Sequence, residues 1–236
     1  MKIYVVGSSK DKFLKLDNIR EKFLVDAKHD IPNIDFLNPW YCELTGLYHL
    51  WQHVDDEIVG LEHYRTYFWK NGHPITEQEI KNELKKGDIT ISGYKYPWNK
   101  HNVLEQELDV CVKGSLSTFL KVLTRKDAGL AKYFKKFLKG QRLYACNCFI
   151  GPYKILDEWA EFLFDLLIEF EQISKIGPAT DTLRREGYFA EFLFGAWLEY
   201  KGYKPVIVEI KKFSKNFKLV EQHMFGPDKR VRLNER

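Results

Sequence analysis

No apolar run in this 236-residue chain is long enough to cross a bilayer. Its start, Met1-Lys2-Ile3-Tyr4-Val5-Val6-Gly7, reads as a short strand and lacks the length of a signal peptide. Four cysteines without a secretory signal (Cys42, Cys111, Cys146 and Cys148) point to reduced thiols and a cytoplasmic location. Internal repeats, low-complexity tracts and linkers rich in Pro, Gly and Ser are also missing. Neither G-x-G-x-x-G after the first strand, nor G-x-x-x-x-G-K-[ST], nor G-x-S-x-G occurs. Dinucleotide-binding, P-loop and hydrolase-elbow chemistry are thereby excluded.

What is present suits one large domain with a substantial core. Hydrophobic residues at 44% and charged residues at 30% are ordinary for a globular protein. Aromatic residues, at 15%, supply a thick core and flat surfaces on which sugars or bases stack. The net charge of +4 conceals two basic segments. Lys121 to Arg142 holds eight Lys/Arg against Asp127 alone, and Lys201 to Arg236 holds ten against four Asp/Glu. Either they are solvated helix faces and a loose tail, or they meet an anionic partner: a nucleotide diphosphate, a membrane surface or nucleic acid.

Strands are expected over Ile3-Val6, Ile58-Leu61, Asp88-Gly93, Leu143-Ile150 and Val206-Ile210. Between them lie amphipathic stripes, Leu44-Leu47-Tyr48-Trp51, Ile155 through Phe170, and Phe189 through Trp197. Strands alternating with helices imply an α/β fold around a mostly parallel sheet. Residues 1–210 form one domain on this reading, and 211–236 an irregular basic C-terminal extension.

Chemistry concentrates where the apolar run Ile58-Val59-Gly60-Leu61 stops in Glu62-His63-Tyr64-Arg65. Open α/β sheets build ligand sites at the carboxyl ends of such strands. Alternation would send Glu62 and Tyr64 one way, His63 and Arg65 the other. An Arg fork suits phosphate, and a His or Glu there could accept a proton or hold a divalent ion. A buried Arg–carboxylate pair bracing the sheet is the structural alternative. Other candidates are weaker. His49 and His53 share a helix face but lack the H-E-x-x-H arrangement of a zinc site. Asp55-Asp56-Glu57 precedes its strand, at the wrong end for a ligand crevice. Cys146 and Cys148 would alternate across a strand and face opposite sides, which disfavours a metal.

Four blocks carry a family resemblance: Tyr41-Cys42-Glu43-Leu44-Thr45-Gly46-Leu47-Tyr48, Gly60-Leu61-Glu62-His63-Tyr64-Arg65-Thr66-Tyr67-Phe68, Cys146-Asn147-Cys148-Phe149-Ile150, and Arg184-Arg185-Glu186-Gly187-Tyr188-Phe189-Ala190-Glu191. In order and spacing they resemble small glycosyltransferases of the capsular polysaccharide biosynthesis type. That resemblance implies a Rossmann-like, GT-A-type α/β domain, a mostly parallel sheet flanked by helices that uses a nucleotide-diphosphate sugar as co-substrate. Glu62, Thr66, His49 and Phe192 depart from the pattern, which leaves the acceptor side open. No Asp-x-Asp stands at a strand's carboxyl end, so dependence on Mg or Mn stays open too.

In this frame Arg65, with Arg184, contacts the diphosphate, flanked by Tyr64. Glu43, Glu191 or His63 serves as the catalytic group. The Gly7-Ser8-Ser9-Lys10 turn receives the nucleotide, its small residues allowing close backbone approach. Asn147 and Glu62 contact the sugar or acceptor. The acceptor is either a surface saccharide, with the basic segments lying on an anionic membrane, or a hydroxymethylated base of phage DNA, with Trp69, Tyr96 or Trp98 as a stacking surface. A non-catalytic nucleic-acid or saccharide binding protein on the same fold is the rival reading.

Overall fold

A computed structural model describes residues 1–29, 31–95, 103–144, 146–174, 184–214 and 218–220. In chain order its strands are β1 (Lys2–Gly7), β2 (Arg20–Leu24), β3 (Ile58–His63), β4 (Thr66–Lys70), β5 (His73–Pro74), β6 (Ile89–Ile91), β7 (Tyr94–Lys95), β8 (Arg142–Leu143), β9 (Phe149–Pro152), β10 (Pro205–Ile207), β11 (Ile210–Phe213) and β12 (Leu219–Val220). Its helices are α1 (Asn38–Tyr41), α2 (Leu44–His53), α3 (Glu77–Leu84), α4 (Val103–Cys111), α5 (Leu116–Lys126), α6 (Ala128–Phe137), α7 (Tyr153–Ser174) and α8 (Arg185–Tyr200).

β1 forms because β-branched Ile3, Val5 and Val6 fit a pleated surface buried on both faces. It lies between β2 and β3, parallel to both. The central layer continues through β9, β6 and β10. β9 runs antiparallel to β3 and β6, and β10 is parallel to β6. Five of these six strands therefore share one direction, and the mostly parallel α/β layer stands. Beyond the end of β3, β4 turns back and adds an antiparallel edge with β5, β11 and β12, completing a ten-stranded sheet. The chain after Ile210 is thus not irregular at its start. Its first three residues continue β11 from Ile210, with Lys212 in register with Thr66 of β4.

The two faces of the sheet bury different clusters. Val6, Val59 and Leu61 pack with α2 and α4 to α8, while Ile3, Phe68, Ile150 and Ile210 pack with Ile75 and with Ile80 of α3. Local signals set the helix ends. Thr76 and Glu79 form a reciprocal capping box on α3, and the Asp127 carboxylate accepts from the Leu130 amide at the start of α6.

α8 is buried along most of its length and stacks Phe189 on Phe119 of α5, with ring centroids 3.9 Å apart. Gly195 interrupts this helix for a packing reason. A Cβ there would overlap the ring of Tyr144, whose hydroxyl donates to Glu199 Oε1 at 2.6 Å. Gly195→Ala should therefore destabilise by about 1–3 kcal/mol through overpacking, although alanine is the better helix former. Urea denaturation checks this, and a gain in stability would contradict the packing.

The expected strand over Leu143-Ile150 is a correction. It breaks into β8 and β9, because Cys146 and Asn147 adopt left-handed φ values of 71° and 47° and form a turn. Cys146 and Cys148 do not face opposite sides; both pack in the cluster around Ile3 and Phe68. His49 and His53 stack with Phe23 and His29 in an aromatic cluster, where burial pushes His49 down to about 4. Among the described residues no group of three His, Cys, Asp or Glu side chains could hold a metal ion. Likewise, no helix among them is long and apolar enough to span a membrane. Trp69 is half-buried against Phe213, whereas Tyr96 and Trp98 lie outside the described residues.

Candidate functional site

Parallel strands end together, so β1 and β3 deliver Gly7 and His63 to the same edge, and the Tyr64 amide donates to Val6 O at 2.8 Å. β9 runs the other way and pairs Phe149 with Leu61, which brings Asn147 to that edge as well. The sequence blocks meet in the crevice at the carboxyl ends of the parallel strands, where open α/β sheets take ligands.

Behind the edge sits a cavity of about 60 Å³ lined by Cys42, Glu43, Asn147, Arg184, Gly187, Tyr188 and Glu191. Its walls are strained. Cys42 stands at φ 55°, ψ −133°, a conformation that costs a non-glycine residue about 1–3 kcal/mol. Hydrogen bonds hold it: its amide donates to Asn38 O at 2.9 Å, and its carbonyl accepts from Asn38 Nδ2, Thr45 Oγ1 and the Thr45 amide. The kink ends α1, starts α2 and presents Glu43 to the cavity. The Cys-Glu-Leu-Thr block thus has a mechanical reason, since Thr45 pins the kink that aims Glu43. Opposite, the left-handed pair Cys146-Asn147 is tied to α8. The Cys146 amide donates to Glu191 Oε1 at 2.8 Å, and Asn147 Nδ2 donates to Gly187 O at 3.2 Å. Gly187 lets the helix approach, because a Cβ there would lie 3.0 Å from Cys42 Sγ.

Electrostatics single out one carboxyl. Burial pushes Glu191 up to about 7 in spite of the Cys146 amide; Glu43 raises it further, while Lys212 and Arg184 pull it down. The same environment acts on neighbours. Burial pushes the Cys42 thiol up to about 12, opposed by the adjacent Arg184. Burial also lowers His63, aided by Arg65 and Arg184 and opposed by Glu43 and Asp11. Arg65 follows β3 in the turn, with its guanidinium 4.9 Å from the Tyr64 ring centroid. Its Nε is buried without a hydrogen-bond partner among the described residues, an unsatisfied donor at the end of the parallel strands.

Several expected assignments need correction. The strand stops at His63, so alternation does not extend to Tyr64 and Arg65, which form the turn into β4. Glu62 is wholly buried and does not reach the crevice. It accepts from Arg20 Nε at 2.8 Å and Nη2 at 3.0 Å, and from the Phe68 amide at 3.0 Å. The sheet-bracing pair is real, with Arg20 as its cation rather than Arg65. Ser8 donates its amide and hydroxyl to Asp11, and Ser9 does the same to Asp26. Those donors are engaged by carboxylates, so the turn is no phosphate cradle, and Lys10 lies exposed on it. Gly7 is small to admit Phe13 and Tyr64, whose atoms would lie 2.8 and 2.9 Å from a Cβ.

A family model described as a domain of unknown function (DUF4422) matches residues 3–202. The chain belongs to that family. Among solved structures, this DUF4422 chain is similar to one titled as the apo structure of the WbbM bifunctional glycosyltransferase, with TM-score 0.70 at 18% identity. The similarity covers 89% of this chain and 44% of that one, so this chain spans less than half of its neighbour's length. It establishes a shared fold, the expected α/β layer with helices on its faces. No curated protein matches the chain.

Sequence reasoning missed Tyr188, Gly187, Asp11 and Lys212. Gly187 and Tyr188 stood inside a quoted block and needed only the helical spacing Arg184, Tyr188, Glu191 to be seen on one face. Lys212 had no local signal, because it reaches the site through the pairing of β11 with β4.

Proposed function

We propose that this chain is a glycosyltransferase that moves a sugar from a nucleotide-diphosphate sugar to an acceptor hydroxyl. One observation carries the reading. In a fold shared with a glycosyltransferase, a carboxyl poised near neutrality, a second carboxylate and two arginines surround the crevice where parallel strands end. Transfer needs charge stabilisation for the departing diphosphate and a base for the incoming hydroxyl.

In this reading Arg65 and Arg184 receive the diphosphate, with Lys212 adding positive charge beside Glu191. Glu191, held by the Cys146 amide, takes the proton from the acceptor hydroxyl. Burial keeps Glu191 basic enough to do so, and Glu43, which faces it, adds to the effect by repulsion between the two carboxyls. His63, kept largely neutral, lines the donor side, and the face of Tyr64 supports the base or ribose. Asn147 offers its carbonyl oxygen to a sugar hydroxyl, because its amide nitrogen is already bonded.

Handling of the diphosphate without a divalent ion is supported by the donor set. Mg or Mn seeks several oxygen ligands, whereas Glu191 is bonded to an amide and faced by Arg184 and Lys212. No step is therefore assigned to an ion. In this reading the acceptor is a saccharide, whose hydroxyl Glu191 and Glu43 face from the cavity wall.

The test is incubation with uridine, guanosine and cytidine diphosphate sugars, reading release of the nucleotide diphosphate. Arg65→Ala should lower kcat/KM about 100-fold, as loss of one transition-state charge partner does, with the melting temperature unchanged. A folded variant that transfers sugar normally would show the assignment to be wrong. No release from any donor, with saccharide supplied, would favour a binding module on this fold.

A further inference from the structure

A second surface, away from the crevice, is built for an anion. The basic segment Lys121 to Arg142 lies mostly on two helices, α5 and α6, and its charges are not equivalent. Arg125 bonds Glu169 and Lys126 bonds both Asp165 and Glu169, so α7 neutralises that end. Lys121, Lys132, Lys135, Lys136 and Lys139 carry no ion pair among the described residues, and all five are exposed. Lys132, Lys135 and Lys136 on α6, and Lys139 in the turn that follows it, recur at spacings of three and four along one side of the segment. Lys121 and Lys135 flank a hollow of about 650 Å³ between the helices. Its lining also includes Leu120, the hydroxyl residues Ser117 and Thr118, and Ile173 at the end of α7, which is 41% exposed.

We propose that this face docks on a bilayer of acidic phospholipid, with a lipid phosphate between Lys121 and Lys135 and the carbons beneath it against Leu120 and Ile173. The combination decides the partner. Charge alone would serve nucleic acid equally. An apolar floor under the cations suits a lipid, whose headgroup and acyl chain need the two chemistries a few ångströms apart. Docking there bears on the crevice through a rigid path, since Phe119 of α5 stacks on Phe189 of α8, the helix that carries Glu191. The inference does not depend on the proposed sugar transfer.

The experiment is co-sedimentation of the full chain with neutral phosphatidylcholine vesicles and with vesicles containing about 30 mol % phosphatidylglycerol. Binding is expected only to the acidic vesicles and should weaken in high salt. Each lysine at an acidic surface is worth roughly a factor of five, so Lys121→Ala with Lys135→Ala should lower the partition coefficient about 30-fold. Lys121→Arg with Lys135→Arg should restore it. Ile173→Ser should weaken binding by a salt-independent factor. All are surface substitutions, and thermal melts verify folding. Equal binding to neutral vesicles, an undiminished double-alanine variant, or lysine-dependent binding to duplex DNA without vesicle binding would each overturn the proposal.

Discussion

Glu191→Gln should abolish most turnover while making the protein more stable above neutral pH. If Glu191 is the base, kcat falls about 100- to 10,000-fold, the range general-base catalysis supplies, with donor KM little changed. The glutamine keeps the oxygen that accepts the Cys146 amide, so local geometry is preserved. Wild-type activity should rise with pH through about 7, as the carboxyl ionises, and the variant's residual rate should lack that limb. The stability effect has a definite sign. A carboxyl whose folded pKa lies above its unfolded value holds its proton more tightly when folded. Its contribution to stability is complete below the unfolded value near 4.5 and is lost as pH rises through about 7. Removing the titration should therefore raise the variant's relative stability on the alkaline side, by on the order of 3 kcal/mol or about 6–12 °C in melting temperature. The two proteins should converge near pH 4.5. Full activity in the variant would move the base to Glu43, and pH-independent melting differences would contradict the buried ionisation.

The largest stability loss is expected at the pair beneath the site. Arg20 and Glu62 share two hydrogen bonds in the interior, and Arg20 Nη1 also reaches Asp17 at 2.7 Å and Ile75 O at 3.1 Å. Removing either partner leaves an uncompensated buried charge and should cost about 3–5 kcal/mol. Leucine at both positions should cost less than either single alanine, because no charge is then stranded. Urea midpoints of the three variants decide it. Single variants within about 1 kcal/mol of wild type would mean the pair is solvated.

Much of the fold was legible because its signals are local. The runs Ile3-Val6 and Ile58-Leu61 mark strands by their apolar character, and both sit in the observed sheet. Val206-Ile210 does not form the single strand expected: it divides into β10, which pairs with β6, and the first residue of β11, which pairs with β4. The α7 and α8 stripes are visible at helical spacing. β2 and β4 were not expected: Arg20-Glu21-Lys22 is too charged to read as a strand, and β4 follows β3 after a tight turn with no glycine to announce it. The left-handed turn at Cys146-Asn147 was hidden because it is tied by hydrogen bonds to acceptors on α8, 40 and 45 residues away.

The sequence by itself determined that polar residues cluster where parallel strands end, and it supplied Glu43, His63, Arg65, Arg184 and Glu191 as the candidates. Alternation stated only that Glu62 and His63 point to opposite faces. Which face opens to the crevice depends on what covers each side, so tertiary packing buried Glu62 on Arg20 and left His63 at the edge. Packing likewise brought Lys212 to Glu191 and raised that carboxyl toward neutrality. Proton affinity follows from desolvation and from charges gathered out of distant segments, and those distances exist only once the chain has folded.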